Sequence, residues 1–208
     1  MLIDLSCDKF MEELASDSPA PGGGSVSALA GSMSAALVAM VASLTKGKEN
    51  YWTDQKELED VLAEATNSKN QLLNCVDRDT EAFNRVMSAF KLPKSNDEEK
   101  LVRTQAIQSG LKAAIAVPLE VAESCIKVLR FTKILVYKGN PNALSDSAVA
   151  ALMSYAGIQG AIFNIKINLN SVKDQSLISV IKEREEDICR EAELIINEVI
   201  AVVRNKLD

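Results

Sequence analysis

The chain contains no histidine among its 208 residues. This removes the side chain whose ordinary pKa lies nearest neutrality, and with it the commonest general base and metal ligand. Ser-His-Asp and Cys-His nucleophile arrangements are excluded. Acid–base chemistry has to come from Asp, Glu, Lys, Tyr or Cys. Aromatic residues are also scarce, at 4%, so the core must be built from Ala, Val, Ile and Leu, which the 47% hydrophobic content supplies. No basic tract is present and the net charge is −6, which argues against a nucleic-acid partner. Cys7, Cys75, Cys125 and Cys189 stand far apart and in no metal-ligand spacing. They read as reduced thiols of a cytoplasmic protein without a metal site. The first residues carry Asp4, Asp8, Glu12 and Glu13, and no signal peptide is expected.

Val26 to Leu44 carries no charged residue. Gly31 and Ser27, Ser32, Ser34 and Ser43 keep it only mildly apolar, and no basic cluster flanks it. It reads as the central helix of a bundle rather than a membrane span. Its small side chains would let neighbouring helices, or a second subunit, approach closely. Directly before it lies Ser18-Pro19-Ala20-Pro21-Gly22-Gly23-Gly24-Ser25. The prolines stiffen the approach, the glycines let the backbone come close to a ligand, and Ser25 is placed to cap the following helix. A glycine loop at a helix N-terminus can hold a negative group; the alternative is a plain turn. Neither a P-loop nor a dinucleotide fingerprint fits, since no strand precedes the loop.

Nearly all of the chain reads helical, as one domain spanning 1–208. Residues 7–16 form a short amphipathic helix. Residues 25–46 form the small-residue helix, ended by Gly47. Asp54 with Glu57 is a capping-box start. From Leu58, apolar residues recur in fours and threes through Leu62, Ala65, Leu72, Val76, Phe83, Val86 and Phe90, as on a heptad-like stripe. Lys69 and Asp79 interrupt it. An unpaired carboxylate on a core stripe is costly, so Asp79 needs a partner, a wet cavity or a ligand, unless Thr80 takes the inward place. Ser95 with Glu98 reads as a second capping box, and Pro118 either kinks the next helix or starts its continuation to Val136. Gly139-Asn140-Pro141 is a stop, and Ser145 or Asp146 is placed to cap another helix. Residues 163–170 alternate apolar and polar like a strand, but a single strand would have no partner. Read as helix, the segment puts Asn164 and Asn168 on one face. The last helix spans about 175–205. The fold class is all-α, an antiparallel bundle of long helices.

Polar residues at helix ends or on apolar faces are the candidates for chemistry: Lys48, Tyr51, Asp77, Asp79, Asn84, Asn140, Asn142, Ser145, Asp146, Asn164 and Asn168. A cavity of amides and carboxylates beside a glycine loop suits a flat heterocycle with donors and acceptors on its edge. Against this, Asn140 and Asn142 are turn formers, Asp146 an N-cap and Lys48 a solvated charge. Cys75 and Cys125 belong in the core.

Several of these segments, in order, resemble the cyclodeaminase/cyclohydrolase family of folate enzymes. They are Pro19 to Ser25, Leu44-Thr45-Lys46-Gly47-Lys48 with Tyr51, Asp77-Arg78-Asp79 before Ala82-Phe83-Asn84, Leu92-Pro93-Lys94 and Val117-Pro118-Leu119. Gly139-Asn140-Pro141-Asn142-Ala143 through Ser145-Asp146, Gly160-Ala161 through Asn164, and Ile167-Asn168-Leu169 complete the set. The resemblance implies an all-helical subunit that forms a homodimer, a tetrahydrofolate derivative as substrate, and no cofactor beyond it. It also supports helix over 163–170. It implies either a cyclohydrolase that converts 5,10-methenyltetrahydrofolate and water to 10-formyltetrahydrofolate, or a cyclodeaminase that releases ammonia from the formimino compound to give the methenyl compound. The chain carries no transferase half, which favours the first. The resemblance supplies positions; residue chemistry suggests roles. Asp79 is the candidate general base or electrostatic stabiliser, with Asp77 or Asp146 next. Asn84, Asn164 and Asn168 would hold the pterin or the reacting carbon. Lys48 with the Gly22, Gly23 and Gly24 amides would take the glutamate tail, and Ser25, Tyr51, Asn140, Asn142 and Ser145 complete the binding set. The competing class is a non-catalytic helical dimer with a purely structural glycine loop.

Overall fold

The structure is a computed structural model that describes residues 1–48 and 50–208; Glu49 lies outside the described residues. A short 3-10 turn, Leu2–Asp4, leads into α1 (Cys7–Leu14), which buries Phe10. Five long helices follow: α2 (Gly23–Thr45), α3 (Gln55–Phe90), α4 (Asp97–Lys138), α5 (Leu144–Leu169) and α6 (Gln175–Leu207). A 3-10 turn, Pro141–Ala143, joins α4 to α5. Consecutive long helices run antiparallel, so α2, α4 and α6 point one way and α3 and α5 the other.

α4 is the innermost helix and packs on α2, α3, α5 and α6. Its Val121, Ala122, Cys125, Val128 and Leu129 are almost fully buried. Ion pairs in register, Glu123–Arg184, Arg130–Glu191 and Lys133–Glu198, tie it to the parallel α6. The small-residue sequence of α2 explains its central place. A Cβ on Gly31 would run into Cys125 Sγ and lie 3.2 Å from Leu72 Cδ1; one on Gly157 of α5 would lie 3.0 Å from Cys125 Sγ and 3.0 Å from the Ser27 carbonyl. The buried serines of α2 stitch it to its neighbours: Ser32 donates to the Lys69 carbonyl (2.9 Å) and Ser34 to the Ala150 carbonyl (2.6 Å). Their hydroxyls are therefore satisfied in the interior. α2 and α5 are long and apolar enough, by length and composition, to cross a membrane; here they lie side by side within the bundle.

Helix ends follow local chemistry, with three shifts from the sequence reading. The Asp54 carboxylate accepts the Glu57 amide at 3.0 Å, as its spacing predicts. Gly47 ends α2 with φ 75°, a backbone region that glycine enters without strain. α4 is capped one residue later than Ser95. Asn96 accepts from the Glu99 amide (2.8 Å), and the Glu99 carboxylate reaches back to the Ser95 amide (2.7 Å). α5 starts at Leu144 with no side-chain cap, so neither Ser145 nor Asp146 caps it. α2 starts at Gly23 with Gly22 as N-cap, so Ser25 sits inside the first turn and its hydroxyl is directed elsewhere.

Pro118 neither ends nor divides α4, which runs unbroken from Asp97 to Lys138. Proline has no N–H for the carbonyl four residues earlier. The Asn168 side-chain amide donates to that orphaned Ala114 carbonyl at 3.3 Å.

The tight α2–α4 crossing gives a direct expectation. Gly31→Ala should lower stability to denaturant by about 1–3 kcal/mol. Adding Cys125→Ala to the same chain should recover most of the loss, because it opens the space that the new methyl needs.

Candidate functional site

At the end of the bundle where α2 begins and α5 finishes, α3 and α4 extend further and overhang a cavity of about 400 Å³. Gly22, Gly23 and Gly24 form its floor, Asp79 of α3 faces it from one side, and Asn164 and Asn168 of α5 from another; Phe83 and Phe90 wall it.

Asp79 is held by the first turn of α2. Ser25 Oγ is 3.1 Å from Asp79 Oδ2, 2.9 Å from the Val76 carbonyl and 3.3 Å from Thr80 Oγ1. Gly24 makes this approach possible: a Cβ there would lie 2.5 Å from Asp79 Cγ and 2.6 Å from Oδ2. Two of the three resolutions offered by the α3 stripe are thus realised, since Asp79 has a partner and also opens on a cavity. Burial pushes its carboxyl above the usual carboxylate range, while the Ser25 hydroxyl and backbone amide pull it down. The net direction is upward, which suits a group that takes up a proton closer to neutral pH.

The two asparagines are oriented by backbone. Asn164 donates its side-chain amide to the Gly160 carbonyl (2.8 Å), and Asn168 donates to the Asn164 carbonyl (2.8 Å) and to Ala114. Carbonyl oxygens only accept, so the NH₂ ends must face them. The Oδ1 atoms are the ends left for a ligand. Together with Asp79 they make an acceptor-rich wall, and among the described residues no lysine or arginine lines the cavity. Such a wall suits a cationic ring or a heterocycle edge that carries N–H donors.

The remaining candidates lie elsewhere. α2 spans 23 residues, about 34 Å at 1.5 Å per residue, and Lys48 and Tyr51 follow its far end. In one protomer, Lys48 and the glycine amides do not share a site. Asn140, Asn142, Ser145 and Asp146 are also at that far end. Asn140 is used up structurally: its backbone amide donates to Thr45 Oγ1 (2.9 Å), its side-chain NH₂ to the Leu44 carbonyl (3.2 Å), and its Oδ1 accepts the Asn142 amide (3.1 Å). Asp77 points to the N-terminal segment, where it accepts the Leu2 amide. Asn84 sits on the opposite face of α3, in a larger groove of about 660 Å³ whose Glu81, Asn84, Arg85 and Ser88 are all exposed. Cys75 and Cys125 are buried, as their core reading has it, and burial pushes both thiols up to about 12. Sequence reasoning missed the aromatic wall. Its signal was the continuation of the α3 stripe past Asp79 to Phe90, which is 44% exposed and so packs on no core.

Among the described residues, the fold is a single all-helical domain of six α-helices with a cavity at one end. Residues 6–187 match the formiminotransferase-cyclodeaminase family profile, and the chain belongs to that family. It is 37% identical over 201 residues to a methenyltetrahydrofolate cyclohydrolase from Methylorubrum extorquens, covering 97% of each chain. It is 36% identical over 191 residues to the formimidoyltransferase-cyclodeaminase of Rattus norvegicus, covering 92% of this chain and 35% of that one. The crystal structure of formiminotetrahydrofolate cyclodeaminase from Thermotoga maritima superposes with a TM-score of 0.89 at 28% identity, covering 100% of both chains.

The Gly24 contact yields a sharp expectation. Gly24→Ala should fold but displace the Asp79 carboxylate, and a misplacement of about 1 Å at a reacting group lowers turnover on the order of 10²-fold. Circular dichroism and steady-state kinetics on the same sample check both halves.

Proposed function

We propose that the chain is a methenyltetrahydrofolate cyclohydrolase, which adds water to 5,10-methenyltetrahydrofolate to give 10-formyltetrahydrofolate. The observation that carries this reading is Asp79, the one carboxylate among the described residues that lines a cavity also bearing asparagine acceptors and aromatic faces. The substrate's reacting carbon is cationic and bridges two ring nitrogens. An acceptor-rich, partly desolvated wall favours that charge. Asp79 takes a proton from the attacking water as its oxygen bonds to the carbon. It returns that proton to N5 as the carbon–N5 bond breaks. The hydroxyl proton leaves to solvent as the carbonyl forms, and the formyl group remains on N10. Asn164 and Asn168 Oδ1 hold the pterin edge, and Phe83 and Phe90 pack on its faces.

The near-complete mutual coverage with the Methylorubrum extorquens cyclohydrolase supports this direction. A second reading, cyclodeaminase, is favoured by the equally complete coverage of the Thermotoga maritima enzyme. The two separate by absorbance. Rapid loss of the methenyl chromophore above the spontaneous rate supports the cyclohydrolase. Appearance of that chromophore from 5-formiminotetrahydrofolate, with ammonia release, supports the cyclodeaminase. Inertness toward both, with no folate binding, overturns both.

Asp79→Asn should lower kcat by roughly 10²–10⁴-fold. Its effect on stability carries a sign. The folded-state carboxyl is raised above its ordinary 3.8, so its ionised form is disfavoured by folding at neutral pH. The variant should therefore melt higher than the parent at pH 7, and the difference should shrink as pH falls toward 3.8. Thermal melts at the two pH values check this.

The working unit is a homodimer joined through the outer face of α2 and α5. Val26, Met33, Met40 and Leu44 on α2, with Leu152 and Phe163 on α5, are 37–64% exposed. α2 carries no charged residue, whereas the ion pairs between long helices hold α3 to α4, α4 to α6 and α5 to α6. An apolar stripe of this length calls for a partner, and the same stripe on a second copy matches it in chemistry and length. A two-fold axis across the middle of α2 would bring the Lys48 and Tyr51 end of one protomer alongside the glycine-loop end of its partner. Met33→Asp with Met40→Asp should sediment as a monomer where the parent sediments as a dimer.

A further inference from the structure

We propose that Ser25 is a positioning residue whose hydroxyl turns between Asp79 and the Val76 carbonyl, so that Asp79 keeps one position whether or not it carries a proton. The proposal rests on the reading of Asp79 as the general base.

Its ground is a count of protons and acceptors. Ser25 is fully buried, and its Oγ has three oxygen neighbours: the Val76 carbonyl, Asp79 Oδ2 and Thr80 Oγ1. A hydroxyl has one proton to donate. With Asp79 ionised, Ser25 donates to Oδ2 and accepts from the Thr80 hydroxyl. With Asp79 protonated, Oδ2–H donates to Ser25 Oγ, and Ser25 turns its own proton to the Val76 carbonyl. In each arrangement the Ser25 proton and the Asp79 carboxyl are both paired, the Val76 carbonyl lies within α3 as a helix acceptor in either case, and no heavy atom has to move. A group that takes a proton from water and then returns it to nitrogen needs this invariance, because misplacement between the two steps would slow the second.

The surroundings leave this exchange undisturbed. α2 brings no charged residue to Asp79. On α3, Arg78 is turned away to Glu120 of α4 in a two-point ion pair at 2.8 and 2.9 Å, and the Cys75 thiol is the titratable neighbour that feels the Asp79 charge. α4 offers Leu111 and Ala114, and α5 offers Asn164 and Asn168, all uncharged.

The test measures the carboxyl directly, by ¹³C NMR titration of Asp79, beside the pH dependence of kcat/KM. In Ser25→Ala both forms of Asp79 lose a hydrogen bond, but the bond to the charged carboxylate is the stronger, so the Asp79 midpoint should move up by about one pH unit, and the acid limb of kcat/KM should move with it. Thr80→Val removes a hydroxyl at nearly constant volume and should move both in the same direction by less. If Ser25→Ala does not fold, Thr80→Val carries the test alone. A midpoint unchanged in every folded variant overturns the proposal, even if stability falls, since a purely structural serine would alter stability and leave the titration in place. A midpoint that moves while the acid limb stays fixed supports the Ser25 exchange but removes Asp79 from the rate equation, which contradicts the reading of Asp79 as base.

Discussion

The site depends on one close approach, that of the first turn of α2 to Asp79 on α3. Gly24 has no Cβ where one would sit 2.5 Å from the carboxylate carbon. That absence lets the Ser25 amide and hydroxyl reach a carboxylate that would otherwise be stranded among apolar neighbours. Loss of the approach would leave Asp79 either unpaired, at the desolvation penalty of a bare charge, or turned out of the cavity. The other features of the cavity follow from how far each helix runs past this crossing: α2 begins there, α5 ends there, and α3 and α4 overhang.

Two opposed influences set the chemistry of Asp79. Burial raises its proton affinity, and the α2 turn lowers it. The first is the stronger, so the carboxyl is poised above the ordinary range. The asparagines face a similar choice between structure and function. Pro118 removes an amide from α4, the vacated Ala114 carbonyl takes the Asn168 NH₂, and the Asn168 oxygen is left for the cavity. One proline in the innermost helix thereby fixes the orientation of a side chain on another.

Much of this was legible in the sequence. The α3 period marked Asp79 as a misfit on a core stripe, and three glycines before a small-residue helix marked a close approach. The strand-like alternation over 163–170 is helix in the structure. It arises because Asn164 and Asn168 line a cavity, Lys166 reaches Glu185 at 2.7 Å, Phe163 is 64% exposed, and Ile167, 69% exposed, sits at the cavity's rim. What sequence could not supply was which ends meet. Polar motifs on either side of α2 look adjacent in one dimension, yet the helix holds Lys48 and Tyr51 a full helix length from the glycine loop. The placement of Ser25 was hidden for a related reason: flexible glycines let α2 begin two residues early, which moved the serine from the cap into the turn.

The most direct test is a crystal structure with a stable reduced folate, 5-formyltetrahydrofolate, bound. The account predicts the pteridine ring between the Phe83–Phe90 wall and the Asn164–Asn168 oxygens, with its one-carbon unit directed at Asp79. A ring bound at the Lys48–Tyr51 end of the same protomer, with the cavity beside Gly24 left to solvent, would contradict it.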